Sequence, residues 1–191
     1  MKLNHIDYNY AVPKMHFQNW FSYKLFILKN RGVSWGARFE IHPQYQFLFG
    51  KGARLEKGVV INNYYGDVHI HEEVHTGIGC VIIGPVEMHK HVGLSQYVTV
   101  LGIHQEIDQK GNGCSKQMYI APIVLEEDAF VGTGTVIQGK STGEVLTLGK
   151  YCRIGANSLV IDDIPPYAVA VGNPAKVVRL WNHEKNCWVK A

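Results

Sequence analysis

Histidine is the residue type whose number and position first suggest chemistry in this chain. Six of the ten histidines lie between His69 and His104, in the middle third of the sequence. A neutral imidazole takes up a proton near neutral pH, and it is also a common metal ligand. The sequence therefore predicts a proton-transfer site or a metal site in this region.

Composition and charge exclude some classes of binding partner and some cellular locations. The 191 residues carry a formal charge of +3, with Lys and Arg scattered rather than massed, so nucleic acid is not expected as a partner. The four cysteines include no Cys-x-x-Cys pair, and no signal peptide or membrane-spanning apolar run is recognisable. We therefore expect one folded domain in the reducing cytoplasm, without integral membrane association.

A six-residue repeat runs through most of the sequence. In its central part every sixth residue is large and apolar with one exception, and the residue four places later is small or β-branched. The first series is Ile70, Thr76, Ile82, Met88, Leu94 and Val100, and the second is Val74, Cys80, Val86, Val92 and Val98. A period of six fits neither an α-helix nor a hairpin. Each six-residue unit is therefore predicted to form a short strand and a turn.

Three such units make one triangular coil of about 18 residues, with the large residues pointing inward. Gly and Asn within residues 50–52, 132–134 and 155–157 suit corners that need left-handed backbone angles. Coils stacked at about 4.8 Å would build a parallel β-helix of about five coils, roughly 25 Å tall. The predicted fold class is thus all-β.

The repeat is interrupted by one long polar stretch. Between Val100 and Leu125 the sequence is too hydrophilic to form a coil, and residues 102–122 are predicted to be a loop extruded from the solenoid. Long loops of this kind are usually functional. His104 stands at an inward-type position of the repeat and begins this loop, which makes it a candidate functional residue.

The two ends of a solenoid expose sheet edges that need to be covered. Residues 16–30 are amphipathic and are predicted to form a helix whose aromatic side covers the first coil. We accordingly divide the chain into an N-terminal cap segment (1–46), a β-helix domain (47–180) and a C-terminal tail (181–191).

The sequence IDDIPPYAVAVGNPAKVVR, residues 161–179, follows LGKYCR and IGANSL repeats. Together these motifs resemble the closing segment of hexapeptide-repeat acetyltransferases, and the resemblance covers nearly all of residues 49–179. It implies a left-handed β-helix, a homotrimer with active sites between neighbouring prisms, and acetyl-CoA as cosubstrate.

Two kinds of enzyme in this superfamily are similar to different parts of the chain. His104 and the sequence MYIAPI (118–123) resemble the loop of galactoside and maltose acetyltransferases. His75, in VHTGIGCVIIGPV (74–86), is similar to a histidine of serine and glycan acetyltransferases. The resemblance implies direct attack of the acceptor on the thioester. We expect His104 to be the general base, with His75 orienting the acceptor or serving as the base itself.

The resemblance also implies which residues bind acetyl-CoA. Backbone groups of Gly132, Thr133 and Ala156, at two corners, would bind the pantetheine arm. The side chains of Lys176 and Arg179 would bind the phosphates. The ring of Phe130 would lie beside the acceptor or the cofactor.

The sequence leaves the acceptor open. A hydroxyl of a sugar or glycan precursor is the first hypothesis, and a nucleotide-linked amino sugar or serine is the alternative. A carbonic-anhydrase-like metal enzyme and a catalytically silent scaffold are further alternatives. His71 and His89 are eighteen residues apart and would stack on successive coils, but no third ligand is evident, so we expect no metal cofactor.

Overall fold

The computed structural model describes residues 32–107 and 114–191. The helix predicted at residues 16–30 lies outside these ranges. Within them every regular element is a β-strand, and no helix long and apolar enough to cross a bilayer occurs in this part of the chain. The all-β fold class predicted from the repeat is confirmed.

Three parallel sheets form the sides of a triangular solenoid of about five coils. Face 1 contains β1 (Arg38–Glu40), β4 (Val60–Asn62), β7 (Val81–Ile83), β10 (Thr99–Leu101), β15 (Val136–Gln138) and β18 (Leu159–Val160). Face 2 contains β2 (Phe47–Phe49), β5 (Val68–Ile70), β8 (Val86–Met88), β13 (Ile123–Leu125) and β16 (Leu146–Leu148). Face 3 contains β3 (Arg54–Leu55), β6 (His75–Thr76), β9 (Gly93–Leu94), β14 (Phe130–Val131), β17 (Arg153–Ile154), β19 (Ala168–Gly172), β20 (Ala175–Asn182) and β21 (Cys187–Lys190).

The core consists of columns of inward side chains, one residue per coil. On face 1, Ile61, Ile82, Val100 and Ile137 are register partners in successive strands, and all four are fully buried. The six-residue period therefore places one large apolar residue inside each strand. The exception in the series, Thr76, is also buried, and its hydroxyl donates to the backbone oxygen of Arg54 at 3.3 Å.

The corners predicted at residues 50–52, 132–134 and 155–157 have the backbone geometry expected of them. The third residue of each corner lies in the left-handed region, with φ of 77° at Gly52, 70° at Gly134 and 54° at Asn157. A side chain at position 134 would also collide with the Asn157 amide on the next coil. Glycine at this corner thus satisfies both the backbone angle and the close stacking of coils.

The solenoid begins earlier than residue 47, inside the segment that the sequence assigned to a cap. Val33 bridges to Leu55, and β1 pairs in parallel with β4. A long corner after β1 hides this first coil, because it breaks the six-residue spacing. The Asn63 side chain supports that corner by accepting a hydrogen bond from His42 N–H at 2.6 Å.

The last strands of face 3 leave the parallel pattern. β19 continues the parallel sheet beside β17, and then β20 and β21 turn back as antiparallel strands. Residues 181–191, which the sequence separated as a tail, are thus mostly part of this sheet. Most residues of β20 and β21 are exposed and follow no six-residue period, which explains why the repeat pattern ends before them.

An antiparallel hairpin projects from the corner between faces 1 and 2, within the stretch predicted to be a loop. Its strands are β11 (Ile103–Ile107) and β12 (Cys114–Ile120), and they connect β10 to β13. The coils on either side keep their register, since Val100 pairs with Ile137 and Ile123 pairs with Val86. The insertion therefore adds an element without disturbing the prism.

Candidate active site

His104 lies at the base of this hairpin and is held by the next coil of the solenoid. It is the second residue of β11 and pairs with Tyr119 across the hairpin. Its ring is half-buried, and its Nδ1 lies 3.2 Å from Nε2 of Gln138, the last residue of β15. Two elements that are separated by 34 residues in sequence thus fix the position of one imidazole.

Gln138 can determine which nitrogen of His104 carries the proton. An amide nitrogen only donates, so in this orientation Nδ1 accepts and the ring proton resides on Nε2. A rotation of the amide by about 180° presents the oxygen instead, which accepts a hydrogen bond from Nδ1–H and leaves the Nε2 lone pair free. The second orientation is the one that a general base acting through Nε2 requires.

A cavity of about 370 Å³ adjoins His104. Besides His104 and Gln138, its lining includes Lys140, Ser141 and Asp162. Hydroxyl, amide, ammonium and carboxylate groups therefore surround the space that the imidazole faces. A polar lining of this kind suits an acceptor that is itself rich in hydrogen-bonding groups.

One wall of the cavity is fixed by a charge pair. Lys140 Nζ lies 2.7 Å from Asp163 Oδ2, and Asp163 Oδ1 accepts a hydrogen bond from Thr147 N–H at 2.8 Å. Burial alone would raise the pKa of Asp163, but the hydrogen bonds from Lys140 and Thr147 outweigh it and hold that pKa below its ordinary value. This pair could not be predicted from the sequence, because Lys140 and Asp163 belong to successive coils.

His75 lies on face 3, apart from His104 within the chain. It begins β6, its side chain is exposed, and its register partners are Arg54 and Gly93. It does not contribute to the lining of the His104 cavity. The joint site of the two histidines thus stays a prediction that requires a neighbouring subunit.

Three of the predicted cofactor residues meet at the corner between faces 3 and 1. Gly132 N–H donates to the Ile154 carbonyl at 2.9 Å, and a Cβ on Gly132 would lie 2.6 Å from Ala156 N. Thr133 Oγ1 lies 2.8 Å from Ser95 Oγ. Gly132 therefore has its N–H paired within the solenoid, and its lack of a side chain allows the two coils to pack closely.

Phe130 and the two basic residues are solvent-accessible. Phe130 is 44% exposed in β14, and its ring packs over Gly93, where a Cβ would lie 2.9 Å from it. Lys176 and Arg179 are exposed on β20. Lys176 Nζ lies 4.0 Å from Asp162 Oδ2, and Asp162 lines the His104 cavity, so Lys176 reaches the rim of that cavity.

The two buried thiols are unsuited to nucleophilic catalysis. Burial raises the pKa of Cys152 to about 12, and it also raises the pKa of Cys80. Both side chains are fully buried, so they stay protonated and inaccessible at neutral pH.

A larger groove, of about 1150 Å³, lies at the N-terminal end of the described coils. Its lining includes Lys51, Arg54, Glu56 and Lys57, and no histidine among the described residues. Its lining begins at Gly32, the first residue that the structure describes. The smaller cavity, unlike this groove, has a histidine in its lining.

Comparison with known proteins gives relatives along most of the chain, although no family model matches. Galactoside O-acetyltransferase from Escherichia coli is 30% identical over 156 residues, which are 80% of this chain and 66% of that protein. Serine acetyltransferase from Bacillus licheniformis is 28% identical over 152 residues, 78% of this chain and 53% of that protein. The chain thus spans about half to two thirds of the length of these curated relatives.

A solved structure shares the fold. AntD, an N-acyltransferase from Bacillus cereus in complex with dTDP and 3-hydroxybutyryl-CoA, matches with a TM-score of 0.67. The match covers 84% of this chain and 90% of that chain, at 15% sequence identity. The likeness is one of architecture, a solenoid of the same kind.

Proposed function

This chain belongs to the hexapeptide-repeat β-helix superfamily of acyltransferases, and from that premise we propose that it transfers an acetyl group from acetyl-CoA to a hydroxyl of a sugar or glycan precursor. The polar cavity beside His104 supports such an acceptor. The name of the Escherichia coli relative, a galactoside O-acetyltransferase, supports the same substrate class. We also propose that the coils of the solenoid are left-handed and that the protein is located in the cytoplasm.

His104 is the general base in this proposal. As the acceptor hydroxyl attacks the thioester carbonyl carbon, its proton passes to Nε2 of His104. The tetrahedral intermediate collapses by breaking the carbon–sulfur bond, and the imidazolium returns the proton to the departing thiolate of CoA. The products are the acetyl ester and CoA, so atoms and charge balance. When its amide is rotated by about 180° from the observed contact, so that the oxygen faces Nδ1, Gln138 holds the ring in the tautomer that this step needs.

The acetyl-CoA residues predicted from the sequence complete the proposal. The pantetheine arm lies along the corner of Gly132, Thr133 and Ala156, where the backbones of two successive coils pack closely together. Lys176 and Arg179 supply exposed cations for the phosphates. Phe130 offers an exposed ring surface on face 3.

The observation that carries the proposal is the imidazole of His104 held by Gln138 at the mouth of a polar cavity. The test is acetyl-CoA consumption by the purified protein with sugars, nucleotide-linked amino sugars and serine as separate acceptor sets. We expect turnover with sugar hydroxyls and an acetyl ester that mild alkali hydrolyses. The His104→Ala variant is the control for background hydrolysis. Consumption with none of the three sets would contradict the proposal.

The second candidate is N-acetylation of a nucleotide-linked amino sugar, with serine O-acetylation beside it. AntD, whose fold this chain shares, was solved with dTDP and an acyl-CoA, and the Bacillus licheniformis relative is a serine acetyltransferase. An amide product resists the mild alkali that cleaves an ester, so the same screen separates the two chemistries. All of these relatives carry acyltransferase names, which favours transfer over a carbonic-anhydrase-like reaction.

A further inference from the structure

Face 2 carries a second group of histidines, remote from the cavity beside His104. His71 follows β5 and His89 follows β8, and these strands pair with Ile70 opposite Met88. The two histidines therefore stack on successive coils, as their spacing predicts, with ring centroids 5.4 Å apart. Glu87 lies in the middle of β8, on the same outer surface. Neither histidine nor Glu87 lines the cavity.

The side chains of these three residues converge on one point. Nε2 of His71 lies 3.1 Å from Oε1 of Glu87, and Nε2 of His89 lies 3.3 Å from the same oxygen. All three donor atoms lie within 4.8 Å of one another. Ligand atoms that surround a tetrahedral zinc ion at about 2.0–2.2 Å are about 3.3–3.6 Å apart. Small side-chain rotations therefore convert the observed contacts into a coordination shell.

We propose that His71, Glu87 and His89 form a binding site for a divalent transition-metal ion, with Zn²⁺ the preferred ion. Two imidazoles and one carboxylate form a donor set that suits zinc and cobalt, whereas Mg²⁺ and Ca²⁺ prefer oxygen ligands throughout. The remaining position is open to water, because the three side chains are only partly buried. Two hydrogen-bonded strands hold the ligands, so little ordering is needed when the ion binds.

A second observation concerns the adjacent strand. His69 is the register partner of Glu87, and its Nε2 is buried without a hydrogen-bond partner in the described part of the chain. A buried polar atom without a partner is unusual, and this one belongs to the residue paired with Glu87 on the next strand.

The other cluster of this type is less suited to an ion. His91 lies with Glu127 and Asp128, but its Nε2 already contacts Glu73 at 2.9 Å. Glu127 is paired with Lys150 at 2.9 Å, which neutralises its charge. In the group around Glu87 no lysine or arginine forms an ion pair with the carboxylate among the described contacts. The structure therefore favours His71, Glu87 and His89.

The test is titration of the chelator-treated full-length protein with Co²⁺, followed by displacement with Zn²⁺. We expect one equivalent of Co²⁺ per chain with the intense visible absorption of a tetrahedral site, and loss of that absorption as Zn²⁺ replaces it. Zn²⁺ should also raise the melting temperature, because it binds only the native arrangement. This readout involves no acceptor and no acetyl-CoA, so its result is independent of the proposed transferase activity.

Two variants and a matched control locate the ion. His71→Ala and the near-isosteric Glu87→Gln should each weaken Co²⁺ binding at least about a hundredfold, since even indirect partners of a metal contribute ten- to a hundredfold. His183→Ala, which removes an exposed histidine from the hairpin of β20 and β21, should leave binding unchanged. Circular dichroism of the metal-free variants checks folding, and Glu87→Gln retains the side-chain volume. Absence of Co²⁺ binding in the unmodified protein, or binding that neither variant weakens, overturns the proposal.

Discussion

Single substitutions can show whether His104 or His75 takes the proton from the acceptor. If His104 is the base, His104→Ala should lower turnover by about a hundredfold or more. The affinity for acetyl-CoA should remain nearly the same, because the imidazole meets the acceptor. His75→Ala should mainly raise KM for the acceptor. Steady-state kinetics with both substrates measure these effects. The opposite pattern would assign the base to His75 and place the chemistry with the serine-type enzymes.

The contact between Gln138 and His104 gives a more specific prediction, about pH. A carboxylate at position 138 only accepts hydrogen bonds and carries a negative charge, so Gln138→Glu should stabilise the imidazolium. The acidic limb of the rate profile should therefore move to higher pH by about one unit or more. Gln138→Leu should instead lower kcat while KM for acetyl-CoA stays constant. An unshifted profile in Gln138→Glu would show that Gln138 has only a structural role.

At the level of strands and hairpins, β20 is the element that we expect to bind the phosphates of acetyl-CoA. Acetyl-CoA should raise the melting temperature of the protein, because binding to the native state stabilises it. Lys176→Ala with Arg179→Ala should reduce this shift without altering folding. Lys185→Ala with Lys190→Ala removes the same number of charges from the same hairpin and is the matched control. Equal shifts in both double variants would place the phosphates elsewhere.

Some structural elements could be predicted from the sequence, and others could not. The coils were predictable because Ile61, Ile82 and Val100 occupy equivalent positions, and a fixed period converts directly into an inward column. The first coil was missed because its long corner breaks that period. The pairing of β11 with β12 was missed because the polar segment between Val100 and Leu125 carries no six-residue repeat.

The candidate site was predictable only in part, for a similar reason. His104 stands out in sequence as the residue that interrupts the repeat. Gln138, Lys140 and Asp162 do not, because their place beside it depends on which coil stacks on the hairpin corner. Glu87 likewise shows its relation to His71 only when β5 and β8 are paired. Contacts between coils join residues that no local motif connects.

At the level of the whole assembly, we predict a homotrimer. The motivation is the placement of His75 and His104 on different sides of one prism, since a shared site needs a second copy. Light scattering at micromolar concentration should give three times the chain mass. His75 variants mixed with His104 variants should then recover part of the activity, because some mixed sites contain both intact histidines. A monomeric mass would remove the shared site.

The unbroken register around the hairpin also has an evolutionary consequence. Val100 and Ile137 pair as though no residues had been inserted between their coils, and Ile123 and Val86 do the same. The packing of the buried core therefore does not depend on the length or sequence of the hairpin. Related proteins with this fold can therefore have a longer, shorter or different hairpin without compensating changes in the buried columns. If the proposed function holds, acceptor preference can change at this one corner without any change in the buried core.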